Sequence, residues 1–197
     1  CESSNDIKIN EVLANPEGGD ANKEWVELYN AGTEAVSLFG WQLEGGTSSL
    51  SVDVTFEDGV ILAPDAFLRV GEMDVESADV LTDELSLGNA GSSSDIMRLV
   101  GCDGLVADTL VYGAPNDDAW EDDSGMVATS LAPVAPEGQT IAREVDGVDT
   151  DAAGIDFLVS AAPTPGEPNE FSGTADADAD ADGDDDGSGG ESDCPGA

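Results

Sequence analysis

Short apolar runs, each bounded by Gly, Pro, Asn or Asp, recur along most of this chain and limit the folds that it can form. The first two runs, Ile7–Leu13 and Trp25–Asn30, are rich in Ile, Val, Trp and Tyr, which predicts β-strands. Asp103-Gly104 is the strongest hairpin signal. Only residues 74–85 predict a helical turn. The further predicted strands are residues 52–56, 60–62, 67–70, 96–100, 105–112, 140–145 and 157–159.

Alternation along the second run assigns its side chains to two faces of a sheet. Val26 and Leu28 point to one face, and Trp25, Glu27 and Tyr29 point to the other. A carboxylate between two aromatic side chains is unusual on a strand, and the position of Glu27 therefore requires an explanation. The residues that we expect to be mostly buried are Trp25, Val26, Leu28, Trp41 and Phe67.

Six segments follow one another in an order that is similar to a known domain. They are IKINEVLANPEGGDANKEWVELYN from residue 7, VSLFGWQL from 36, LAPDAFLRVG from 62, LSLGNAGSSSDIMRLVGCDGLVADTLVYG from 85, QTIAREVDG from 139 and DFLVSAAPTPGEPN from 156. This order resembles the lamin-tail domain, and only the acidic stretch 114–138 has no place in its pattern. The resemblance implies an all-β, immunoglobulin-like antiparallel β-sandwich. Such modules occur in nuclear filament proteins and in many secreted prokaryotic proteins, so the fold alone implies no activity.

The chain divides into three parts by composition. Residues 1–6 are polar and predict an N-terminal tether, and residues 7–170 hold the predicted sandwich domain. Three prolines, Pro163, Pro165 and Pro168, are expected to end it by lifting the chain off the sheet edge. Residues 171–197 are rich in Asp, Ala and Gly and cannot bury apolar surface, which predicts a disordered acidic tail.

The charge excludes several partners. The chain has 44 acidic and 5 basic residues, no His and a net charge of −39. Nine of the acids lie in residues 171–197, so the domain itself is strongly acidic. Such a surface repels nucleic-acid backbones and anionic lipids, and it favours cations, basic surfaces and salt-rich surroundings. The scarcity of Lys also resembles proteins of salt-loving organisms.

The residue types exclude most catalytic chemistry. Without His the chain has no Ser-His-Asp or Cys-His arrangement, no His-based zinc site and no imidazole base. It also lacks a phosphate-binding Gly-rich loop with its Lys. The sequence therefore predicts a protein that is not an enzyme.

Four carboxylates of the opening stretch are candidate metal ligands: Glu11, Asp20, Glu24 and Glu27. The resemblance places them in one stretch, where two adjacent strands would bring them close together, and hard oxygen clusters suit calcium. The alternative is that Glu27 pairs with a strand Arg or with backbone donors while the other three are solvated.

The acidic tail holds a second candidate calcium site. Asp178, Asp180, Asp182 and Gly183 follow the opening pattern of a calcium loop, although Gly189 stands where an EF-hand needs a bidentate Glu. The candidate ligands are Asp178, Asp180, Asp182, Asp184 and Asp186. The alternative is a solvated acidic spacer.

The three cysteines suggest a location. Cys1 begins the chain and is followed by polar residues, which resembles a mature lipoprotein whose terminal Cys carries lipid. The alternative is an arbitrary chain boundary. Cys102 and Cys194 are either bridged to each other or both free, because connectivity cannot be deduced from sequence.

Four of the five basic residues lie inside predicted strands: Lys8, Arg69, Arg98 and Arg143. One interpretation is that each is a local counter-ion, with its stem along the sheet. The other is that several converge to clamp a substrate carboxylate.

Together these observations predict a non-enzymatic extracytoplasmic binding or structural module, lipid-anchored through Cys1 at the cell surface and responsive to calcium. Its expected partner is a cell-surface or extracellular protein or glycan. No nucleic-acid partner is expected, and membrane contact only through the lipid. The alternatives are a metal-dependent hydrolase that uses Glu24 and Glu27, and an accessory domain of a larger secreted enzyme such as a nuclease.

Overall fold

The apolar runs form the strands of two sheets that face each other across one core. The computed structural model describes residues 4–89 and 91–171. The strands are β1 (Ile7–Leu13), β2 (Trp25–Asn30), β3 (Val36–Ser37), β4 (Gln42–Gly46), β5 (Ser51–Thr55), β6 (Ile61–Leu62), β7 (Phe67–Glu72), β8 (Val80–Thr82), β9 (Asp95–Val100), β10 (Val106–Tyr112), β11 (Thr140–Arg143) and β12 (Phe157–Ser160), and the helical turn α1 (Ala153–Asp156) precedes β12.

The sheets have six and four strands. The first has the order β12-β11-β1-β2-β7-β8, the second has the order β10-β9-β4-β5, and β3 pairs with β6 beside them. Every pairing is antiparallel except that of β7 with β8. The prediction of an all-β, immunoglobulin-like antiparallel sandwich is therefore confirmed. The described residues contain no helix that is both long enough and apolar enough to span a membrane.

The core lies between the sheets and follows the predicted alternation. Val26 and Leu28 are fully buried on the inner face, and Trp41 is fully buried in the same core. Phe67 is less completely buried than these three residues, because it lies on the other face of the sheet. It stands opposite Tyr29 on the outer face, where the two rings lie 4.9 Å apart.

Leu28→Ala is expected to lower the free energy of unfolding by about 2–5 kcal/mol, because a core truncation leaves a cavity. Leu28 stands between Ile9 of β1 and Leu68 of β7, so neighbouring strands prevent the site from collapsing. Urea unfolding measures the change. The control is Leu81→Ala on β8, where the side chain is 53% exposed and the expected change is within about 0.5 kcal/mol. Equal effects of the two variants would contradict the register of β2.

The helical turn predicted in residues 74–85 is absent. That stretch instead contains β8, which pairs in parallel with β7 through Val70 and Val80. Strand pairing outweighs a weak local preference for helix, because it satisfies the backbone groups along the edge of β7. The helical turn of the described residues lies at Ala153–Asp156.

Two irregular segments cover the outer faces of the sheets. Residues 114–138 lie on the second sheet, where Trp120 packs against Ile96 and Val111 and donates from Nε1 to the Ser94 carbonyl at 3.1 Å. The proline-rich residues 161–170 follow the edge strand β12. They do leave that edge, but they then return across the outer face of the first sheet, where β1 and β2 hold them.

Candidate functional site

The predicted ligands Glu11 and Glu27 stand opposite each other on β1 and β2, and both are fully buried. Glu11 Oε1 accepts a hydrogen bond from the Thr140 hydroxyl at 2.6 Å, and both Glu11 oxygens accept from the Thr164 N–H. Glu27 Oε2 accepts from the Gly166 N–H at 2.6 Å. The two carboxylates therefore hold the proline-rich segment on the sheet through its backbone donors.

Burial changes the proton affinity of this pair. It raises the pKa of Glu27 to about 8, and the Gly166 N–H opposes this rise only in part. It also raises the pKa of Glu11, against the hydrogen bonds from Thr140 and Thr164. Glu27 Oε1 and Arg69 Nε are both buried without a hydrogen-bond partner, although the two residues face each other across β2 and β7. Glu27 is therefore largely protonated at neutral pH.

The other two predicted ligands of the opening stretch lie elsewhere. Glu24 is buried beside Glu72, whose Oε2 accepts from the Glu24 N–H, and Asp20 accepts from the Asn89 amide at 2.7 Å. Burial raises the pKa of Glu24 to about 9, and the charge of Glu72 adds to the rise. The charges that act on Glu24 are those of Glu72, Asp20, Asp53 and Glu84, whereas those that act on Glu27 are Glu11, Arg69 and Asp146. The structure therefore divides the four predicted ligands between two places.

The remaining predicted site residues lie outside the described part of the chain. They are Cys1 and the tail carboxylates Asp178, Asp180, Asp182, Asp184 and Asp186. Cys102 is disulfide-bonded, which excludes the alternative that it is a free thiol. The other two cysteines of the chain are Cys1 and Cys194, and both are outside the described residues.

The basic residues inside the strands have acidic or backbone partners. Arg98 pairs with Glu44 on the neighbouring strand at 2.5 Å, and Arg69 donates to the Ser77 carbonyl at 2.6 Å. Lys8 and Arg143 converge on the same carboxylate, that of Asp149. Lys8, Arg98 and Arg143 therefore act as local counter-ions.

A buried ion-pair network is built where β1, β10 and β11 meet. Arg143 and Asp108 are both fully buried. Arg143 Nη2 donates to both oxygens of Asp108 at 2.9 Å, and Asp108 Oδ2 also accepts from the Ile9 N–H. The Arg143 guanidinium lies 4.4 Å from the centre of the Phe157 ring. Asp108 thus fixes the two sheets to each other.

Further carboxylates surround this network at its outer end. Asp108, Asp123 and Asp149 each place one oxygen so that all three lie within 4.8 Å of one another. Burial raises the pKa of Asp123 to about 7, and the charges of Asp149 and Asp108 add to the rise. Burial opposes ionisation of Asp149 as well, but the hydrogen bond and charge of Lys8 outweigh it and lower its pKa. We call these three residues the aspartate cluster.

The aspartate cluster was missed in the sequence because 44 acidic residues make any single set uninformative. One signal was present. Asp108 lies within the apolar run of β10, and Lys8 and Arg143 also lie within strands, so that buried acids and bases had to meet. Asp123 belongs to the loop 114–138 and gave no such signal.

A groove opens on the opposite side of the sandwich, along the edge strands β5 and β8. It consists of two adjoining cavities of about 450 and 350 Å³ that share Val60, Asp79 and Val80. We call it the edge groove; its lining residues are 53–55, 57–63, 66–68 and 79–82. Four acidic residues line it, and no Lys or Arg of the described chain does. Its apolar lining includes Val54, Leu62 and Leu68.

Comparison with known proteins agrees with this architecture. The model of the Lamin Tail Domain family matches residues 2–127 of the chain. The match ends inside the loop 114–138, before β11 and β12, which form one edge of the first sheet beside β1. No curated protein matches the chain.

Proposed function

The chain belongs to the lamin tail domain family of immunoglobulin-like modules, and from this premise we propose that it is a non-enzymatic binding module that acts outside the cytoplasm. The edge groove is the observation that supports binding. It lies between β5 and β8, the last strand of each sheet, and an edge strand can pair through its backbone with an added strand. Its floor is apolar and its margin is acidic.

The expected ligand of the edge groove is an extended basic segment of an extracellular protein. An alternating peptide can place apolar side chains on the floor near Val60 and Val80 and direct Lys or Arg to the margin. Glu57 and Asp58 are exposed on that margin, and Asp79 lies between the two cavities. An acidic or purely apolar segment would leave these charges unmatched.

The proposal is tested with a labelled decapeptide of alternating Lys and Val, whose binding to the full chain is followed by fluorescence anisotropy. Charge reversal at the groove, Glu57→Lys with Asp58→Lys, is expected to weaken binding by about tenfold or more, because like charges then face each other. The matched control, Asp117→Lys with Asp118→Lys, makes the same charge change in the loop 114–138.

The control separates a docked peptide from a diffuse attraction to a very acidic protein. We expect the control to change the affinity by less than about threefold, since exposed distant charges are screened. Equal losses in the two variants would contradict docking in the edge groove. Binding of an alternating Glu-Val peptide with similar affinity would contradict the acidic margin as its determinant.

The disulfide at Cys102 supports the proposed location. Disulfides persist in oxidising surroundings, outside the cytoplasm of most cells. Lipid attachment at Cys1 remains part of the proposal, and the disulfide offers a direct test. One sulfur cannot carry both a lipid thioether and a disulfide, so peptide mapping without reduction must pair Cys102 with Cys194. A Cys1–Cys102 bridge would contradict the lipid anchor.

A further inference from the structure

The aspartate cluster holds three carboxylate oxygens at separations that fit one bound ion. Calcium takes oxygen ligands at about 2.3–2.6 Å, so two ligands on opposite sides of it lie about 4.6–5.2 Å apart. All three oxygens of Asp108, Asp123 and Asp149 lie within 4.8 Å of one another. The three side chains come from β10, the loop 114–138 and the connection between β11 and α1. Their oxygens are therefore close enough to one another to coordinate a single ion.

A second observation at this place points to a ligand. A cavity of about 110 Å³ adjoins the cluster, and it is lined by Asp123, Asp149 and Thr109 among others. Thr109 is only 8% exposed, and its hydroxyl oxygen is buried without a hydrogen-bond partner. A buried hydroxyl without a partner is costly, whereas it is a suitable oxygen ligand for a hard cation. The cavity is also large enough to hold water ligands.

The charge balance favours a cation as well. Lys8 and Arg143 neutralise Asp149 and Asp108 from the inner side, at 2.6 and 2.9 Å. On the cavity side, the structure shows no basic partner for Asp123 among the residues it describes. Asp151 also lines the cavity and adds a further negative charge. A divalent ion placed there would compensate these carboxylates.

We propose that Asp108, Asp123 and Asp149, with the Thr109 hydroxyl, form a calcium site. Asp123 is the ligand supplied by the loop 114–138, so the ion fastens this loop to the sandwich. The loop otherwise rests on the second sheet through Trp120 and Ala128. The site is separate from the edge groove, and its occupancy is independent of the binding function proposed above.

Calcium binding by the full chain is tested by titration calorimetry and by the shift in Tm, with magnesium at equal ionic strength as the comparison. Asp123→Asn is expected to weaken the calcium affinity of this site by about tenfold or more, because ligand charge sets affinity at such sites. Asp117→Asn removes the same charge from the same loop, and Asp117 does not line the cavity. It should retain the calcium response. Any binding by residues 171–197 is equal in both variants.

Thr109→Val provides a second, independent test. Valine has the same shape and lacks the hydroxyl, so the Tm without calcium should be unchanged or higher. The calcium affinity should fall by about tenfold, as for other supporting groups at metal sites. This opposite response of stability and affinity would not arise from a merely structural role.

Three outcomes would overturn the proposal. The first is an unchanged calcium titration in Asp123→Asn, and the second is an equal response of the native chain to calcium and magnesium. The third is a lower Tm of Thr109→Val without calcium, which would show that the hydroxyl already has a protein partner. A specific loss in Asp123→Asn and Thr109→Val, with Asp117→Asn unchanged, supports it.

Discussion

Arg143→Leu is expected to lower the free energy of unfolding by about 3–5 kcal/mol, because removal of one partner from a buried ion pair leaves the other charge uncompensated. Arg143 is fully buried, and it is the donor to both oxygens of Asp108. It also donates from Nε to the Ile9 carbonyl and from Nη1 to the Val148 carbonyl. Denaturant unfolding measures the loss.

Two further variants identify the cause of that loss. In the double variant Arg143→Leu with Asp108→Asn, the amide oxygen can still accept from the Ile9 N–H, and the charge of Asp108 is no longer buried without its partner. We therefore expect it to be more stable than Arg143→Leu alone. Arg98→Leu is the control, since the side chains of the Arg98–Glu44 pair are 25% and 15% exposed, and its cost should be below about 1 kcal/mol. Equal costs for Arg98→Leu and Arg143→Leu would contradict the network.

The second large effect is a loss of stability as the pH rises from about 5 to about 9. The pKa of Glu24 is raised to about 9 and that of Glu27 to about 8, in both cases mainly by burial. Below the pKa of the unfolded chain, both states are protonated and the stability is fully present. Above it the unfolded chain releases protons that the folded chain retains, so the free energy of unfolding falls until the pH exceeds the folded pKa.

Each such group contributes up to about 1.4 kcal/mol per pH unit within that window. Burial raises the pKa of Asp95 to about 6, and this group acts in the same direction. Asp149 has a lowered pKa, so its contribution is lost only at acidic pH, outside this window. Thermal unfolding across the range should therefore give the highest Tm near its acidic end.

Amide substitutions test which groups are responsible. Glu24→Gln and Glu27→Gln cannot ionise, so each should flatten the dependence of Tm on pH and be more stable than the native chain at its alkaline end. Glu34→Gln, at an exposed position, is the control and should leave the slope unchanged. A Tm that does not vary with pH in the native chain would mean that neither glutamate remains protonated in the fold.

The family and the strands could be predicted because both depend on local patterns. The alternation of Val26 and Leu28 with Trp25, Glu27 and Tyr29 defines two faces of β2, and the turn at Asp103-Gly104 joins β9 to β10. Burial on one face and turn chemistry act over a few residues, so the sequence contains them explicitly. The proximity of Glu11 to Glu27 follows from the same local pairing of β1 with β2.

The partners of these residues depended on the tertiary structure. Thr164 and Gly166 reach Glu11 and Glu27 only because the proline-rich segment crosses the first sheet, and no local pattern specifies that path. The same holds for Glu24, whose neighbour Glu72 lies at the end of β7. The edge groove likewise depends on the tertiary structure, because β5 and β8, which line it, are the last strands of two different sheets.

By itself, then, the sequence determined a strongly acidic lamin-tail sandwich without the residues for His-based catalysis. Only the tertiary structure decided which acids share a site. Asp108, Asp123 and Asp149 come from a strand, a surface loop and a connection that are far apart in the chain. Their side chains are chemically identical to those of many solvated aspartates. They differ because the fold brings the three carboxylates together, and this depends on the strand order and on the path of the loop. No local interaction in the sequence specifies either.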